Sequence, residues 1–211
     1  MQNTNTIPRI AMIVMVILSF SNLFGLKIAG AAVIIGVIFF FLNGRRERST
    51  DSGLDIRTIG SDLKGSGIWF WVLLPLIMDA ASIALSRLVL PEYIEHVLAR
   101  TEIFVSFDRV AIMVFQLAFL ALGEEIAWRA FFQKQLSKAC SLLPALLISS
   151  LLFAIGHIVE GNLAIVAYDV LFVFINSVLY GIVFHKSNNA WVSATSHFVA
   201  NLFSVIVLVF L

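Results

Sequence analysis

The chain has 211 residues, 60% of them hydrophobic, with 14 basic and 13 acidic side chains. A soluble domain of that size needs more polar surface to cover such a core, so a soluble globule is excluded. The net charge of +1 gives no sign of a nucleic-acid partner, and the lone Cys140 rules out an internal disulfide and a cysteine-rich metal site.

Several apolar stretches reach the ~20 residues that cross a bilayer, too long and too uniform for barrel strands. The chain therefore reads as an all-α polytopic membrane bundle of seven to eight spans. The first stretch follows Arg9; with no small-x-small cleavage site after it, it reads as a retained span, not a signal peptide. Spans are predicted at 9–25, 28–43, 67–90, 109–127, 142–160, 163–184 and 190–211. Between the second and third lies a polar segment, 43–65, with Arg45, Arg46, Arg48, Arg57 and Lys64. It reads as a cytoplasmic loop with a short interfacial helix, which puts the N-terminus inside. Lys134, Lys138 and Lys186 then fall on the same side. The loop with Glu92, Glu95, Glu102 and Asp108 falls outside. Residues 1–66 form two N-terminal spans and the basic loop, and 67–211 the core, within one domain. The expected setting is the plasma membrane.

The polar residues gather in the C-terminal half. Gly123-Glu124-Glu125-Ile126-Ala127-Trp128-Arg129 ends an apolar run. Carboxylates in a span cost about 3 kcal/mol each on insertion scales, so they need a partner, a cavity or a role. Glu125 and Arg129, four apart, share a helix face and read as a structural ion pair. Glu124 is rotated by about 100° from Glu125 and is available for acid–base work. Phe153-Ala154-Ile155-Gly156-His157 puts Phe153 and His157 on one face, and Gly156 is expected to admit a close helix. His197-Phe198-Val199-Ala200-Asn201 does the same for His197 and Asn201. Taken singly, each residue has a plain structural reading: a histidine bonded to a carbonyl, a packing Phe. Their coincidence on three helices is what points to chemistry. Asp79 reads as a bond to a neighbouring helix, and Asn176, Ser177 and Tyr180 as lining an interface or groove.

Other intramembrane chemistries leave signatures that are missing. There is no His-Glu-x-x-His pentad. Tyr168-Asp169 has no Gly-x-Gly-Asp after it, and none of Ser149, Ser150, Ser193 and Ser196 sits in a Gly-x-Ser turn. Glu and His acting on water remain. Glu-Glu-x-x-x-Arg, Phe-x-x-x-His and His-x-x-x-Asn, in that order over residues 67–211, resemble the CAAX protease and bacteriocin-processing (CPBP, or Abi) family, which includes the CAAX prenyl endopeptidase. Trp191 ahead of His197 also fits.

The resemblance implies an intramembrane endopeptidase acting on a peptide or protein substrate in or at the bilayer. In it, Glu124 activates water beside His157, His197 and Asn201 stabilise the oxyanion, and Glu125, Arg129 and Phe153 support them. Members are often called metalloproteases, so zinc held by Glu124, His157 and His197 is one reading; no cofactor is the preferred one. Straight helices would set His157 about 12 Å deeper than Glu124 unless the fourth helix continues past Arg129. In that case the cavity opens toward the cytoplasm. Two further functions compete: a non-catalytic scaffold or immunity factor of the same fold, and a proton-coupled transporter. The transporter reading predicts broken spans and a repeat, and no repeat is visible.

Overall fold

A computed structural model describes residues 6–23, 26–47, 53–65 and 67–210. Arg48, and positions 24, 25 and 211 at the predicted span ends, lie outside the described residues. Two apolar helices open the chain, α1 (Thr6–Phe20) and α2 (Ala29–Glu47), joined through a two-residue antiparallel pair, Asn22–Leu23 with Leu26–Lys27. A single short turn of helix, α3 (Ile59–Asp62), lies in the polar segment. Then come α4 (Ile68–Val89) and the amphipathic α5 (Tyr93–Glu102). Next, α6 (Val110–Glu125) runs without a break into a π-helical segment, Ile126–Gln133, and a last turn, α7 (Lys134–Leu136). The chain closes with α8 (Leu142–Gly156), α9 (Leu163–Ser187) and α10 (Ala190–Phe210).

The seven predicted apolar segments are all helices. Four are long and apolar enough to cross a membrane: Ile68–Val89, Val110–Leu136, Leu163–Ser187 and Ala190–Val209. The other three are shorter. α1 stops at Phe20, short of the predicted boundary, because the chain turns into the two-residue ladder. α2 runs four residues further than predicted, so the start of the basic loop is helical. The outward surface is apolar: Leu88, Phe115, Phe119 and Leu163 are all well exposed. Such a surface suits lipid contact, where the backbone polar groups must be satisfied within each helix. The chain is an integral membrane protein.

The main core gathers Met15 of α1, Ala32 and Phe40 of α2, Ala127 and Phe131 of the π segment, Phe153 of α8 and Phe184 of α9. α2 approaches the π segment closely: a Cβ on Gly36 would lie 2.5 Å from the Ala127 Cβ and 2.9 Å from its Cα. Gly181 has a similar role on α9, where a Cβ would meet Leu146 Cδ1 and Gln133 Oε1. Gly156 does not. A Cβ there would meet its nearest atom, Ser19 Cβ, at an ordinary 3.8 Å, so the expected close approach is absent at that position. A second small core joins α4, α9 and α10 through Ile68, Val72, Val183 and Val192. Helix α10 is wrapped by its neighbours, packing Phe198 and Leu202 on α6 and donating Ser196 Oγ to the Val72 carbonyl of α4 at 2.7 Å.

Buried polar contacts fix the two ends. Asn188, in the left-handed region at φ 49°, ends α9. Asn189 after it donates to the Asp55 carbonyl, Thr58 Oγ1 and Asp62 Oδ2, and the Ala190 N–H donates to the Gly53 carbonyl. The α9–α10 turn and the basic loop therefore share one end of the bundle. At the other end Arg100 and His96 of α5 face the buried Asp169 of α9, at 3.2 and 3.6 Å.

Candidate active site

Glu124 and Glu125 are the last residues of α6, and the π-helical turns begin at the next position. A π turn opens the ladder by one residue and re-aims side chains, a feature common at functional sites. Glu125 and Arg129 are wholly buried and pair at 3.4 Å (Nε to Oε2). Arg129 Nη2 also donates to Ser177 Oγ of α9 at 3.0 Å, and its guanidinium lies 5.2 Å above the Phe153 ring. The pair expected from the four-residue spacing is thus present and is held from two further helices.

His197 enters from α10 and lies between the two glutamates. Its Nδ1 is 3.1 Å from Glu125 Oε1, and its Nε2 is 3.6 Å from Glu124 Oε2. One flat face stacks on Tyr180 of α9, with centroids 4.3 Å apart and planes 17° apart. The Phe153 ring meets it nearly at a right angle, with centroids 6.2 Å apart. Of the two carboxylates Glu124 is the accessible one, with 22% of its side chain exposed against none for Glu125.

His157 lies just past the last residue of α8, at its C-terminal end. Its Nδ1 is 2.9 Å from the Phe153 carbonyl. A carbonyl only accepts, so Nδ1 carries the proton there and Nε2 is left as the acceptor nitrogen. The Phe153 ring links the two histidines: it is 4.5 Å from the ring of His157 and 6.2 Å from that of His197. The predicted fourth span, α6, does continue past Arg129, through the π segment to Leu136. Asn201 stands one turn beyond His197 on α10, half-buried.

The structure therefore joins Glu124, Glu125, Arg129, Phe153 and His197 in one site. It sets His157 against the same Phe153 and Asn201 one turn away. Ser177 and Tyr180, read only as interface or groove residues, hold Arg129 and His197 directly. Their spacing of three from each other, on a helix facing the motifs, was the only signal. Among the described residues no group of three or more His, Cys, Asp or Glu side chains is placed to hold a metal ion.

A polytopic helical bundle with carboxylates and imidazoles assembled among its apolar helices has the groups that acid–base chemistry on water needs. Residues 106–203, a little under half of the chain, match the family model described as Type II CAAX prenyl endopeptidase Rce1-like. Over that segment the chain is similar to a family of CAAX prenyl endopeptidases. No curated protein and no solved structure gives a match.

Proposed function

We propose that the protein is an intramembrane endopeptidase in which Glu124 activates the attacking water. The observation that carries this reading is the buried His197 ring held between Glu124 and Glu125. Glu124 is the accessible carboxylate of the site and takes a proton from water as it attacks the scissile carbonyl. His157, with Nε2 as acceptor, supports that water from the α8 side. In its imidazolium form His197 donates Nδ1–H to Glu125, which Arg129 in turn fixes, and Nε2–H to the developing oxyanion. The Asn201 amide is the second donor, one that needs no change of protonation. The proton held by Glu124 passes to the leaving amine as the C–N bond breaks. No step is routed through a metal. The N-terminus and the mouth of the cavity lie on the cytoplasmic side of the plasma membrane, following the basic loop.

The test is cleavage of a labelled peptide library by the purified protein in liposomes. Wild type should cut. Glu124→Gln should lose the activity while remaining folded, and Asn201→Ala should lower kcat by about 10²- to 10³-fold. A chelator should leave the wild-type rate unchanged. A wild-type protein that cuts nothing, with or without added zinc, would favour the scaffold reading.

A further inference from the structure

Asp79 lies in the middle of α4, in a chain where every intramembrane carboxylate has to be accounted for. Its two oxygens accept from neutral donors of two other helices: Oδ1 from the Asn176 amide of α9, and Oδ2 from Ser204 Oγ of α10 at 2.8 Å. Among the described residues no cation pairs with it. Arg100 and His96 of α5 face Asp169 instead. The Asn176 amide turns its nitrogen to Asp79, which leaves Oδ1 buried with no hydrogen-bond donor. Asn176 is 7% exposed. One carboxylate and one orphan amide oxygen thus stand together with acceptor capacity unused.

This acceptor pair is continuous with the proposed site. His197, Asn201 and Ser204 follow at intervals of four and three along one face of α10. Asn176 and Tyr180 do the same on α9, and Tyr180 stacks on His197. From His197 to Ser204 is seven residues, about 10 Å of helix. An extended peptide rises about 3.4 Å per residue, so that distance corresponds to about three substrate residues.

We infer that Asp79 and Asn176 form a specificity subsite that takes a cationic side chain of the substrate, lysine or arginine, about three residues from the scissile bond. The inference rests on the endopeptidase reading. The ammonium or guanidinium supplies the countercharge that Asp79 lacks and the N–H that Asn176 Oδ1 lacks. Asn201, between the two ends of the seam, is left facing the peptide backbone.

The experiment uses peptides carrying lysine, or norleucine in its place, at each position around the cut. Cleavage is followed with wild type, Asp79→Asn and Ser204→Ala. Binding of the same peptides is followed in the Glu124→Gln background, where hydrolysis does not intervene. At one position lysine should be preferred over norleucine by about ten- to a hundredfold, the range for a hydrogen bond to a charged group. Asp79→Asn should bring that ratio near one, while Ser204→Ala, which keeps the charge, should preserve it. A ratio near one in wild type, or an unchanged ratio in a folded Asp79→Asn protein, overturns the inference while leaving the protease reading intact. An Asp79-dependent lysine preference in binding, with no cleavage by wild type, supports the subsite and overturns the protease reading. Peptides neither bound nor cut overturn both.

Discussion

Arg129 carries the buried charge balance of the site. It faces Glu125 and Ser177 and is wholly enclosed. Removing one member of a buried ion pair leaves the other uncompensated, at a cost of about 3–5 kcal/mol. Arg129→Ala should therefore lower thermal stability in detergent by that order as well as abolish activity; normal stability would show that Glu125 finds another partner. The two glutamates should separate in the same assay. Glu124→Gln removes an accessible carboxylate with no close hydrogen bond and should keep the fold. Glu125→Gln weakens the Arg129 pair and the His197 contact at 3.1 Å together and should lose stability and activity alike. Much of this was legible in the sequence, because a spacing of four on one helix fixes which side chains meet. The link from Glu125 to His197 was not, since it depends on the rotation and depth of two helices 72 residues apart. His157 shows the converse: its motif was legible, but its place at a helix end depends on where α8 stops.

Helix by helix, the site depends on how closely α2 and α9 approach the π segment. Three glycines rank this without any assumption about catalysis. A Cβ at Gly36 would meet the Ala127 backbone, which cannot swing aside. A Cβ at Gly181 would meet the ends of Leu146 and Gln133, flexible side chains that can move, although Gln133 Nε2 is bonded to the Gly181 carbonyl. At Gly156 the contact is ordinary. Alanine should therefore cost most at Gly36, about 1–3 kcal/mol by overpacking, less at Gly181, and least at Gly156. Thermal unfolding of the three variants gives the order; an equal loss at Gly156 would contradict it. The helices themselves were readable from apolar run length, and the predicted boundaries of six of them hold to within one residue at the start. Close approach was not readable: the small residue in the Phe-x-x-x-His motif drew attention, while the glycines that admit a neighbour lie outside the motifs.

At the scale of the whole molecule the two ends differ in charge and in fastening. The end that holds the basic loop is tied by Asn189 to Asp55, Thr58 and Asp62. Lys134, Ser137, Leu142, His185 and Asn188 line one shallow cavity there, so the α7–α8 and α9–α10 turns share that end too. The opposite end is closed by α5, held to α9 through Asp169. Positive charge near the spans is retained in the cytoplasm, so the proposed orientation turns the first end inward. Cys140, the one native cysteine, lies just past α7 and is half-buried. In a Cys140→Ser background, Lys64→Cys should react with a membrane-impermeant maleimide only after inside-out vesicles are prepared, and Glu95→Cys only in right-side-out ones. Both positions are exposed, so access and not burial decides the result. The reverse pattern would turn the molecule over in the bilayer and place the mouth of the site outside, where a substrate would have to be secreted before it could be cut. Labelling of both positions from one side would instead require α4 not to cross the membrane, which its 22 apolar-rich residues are long enough to do.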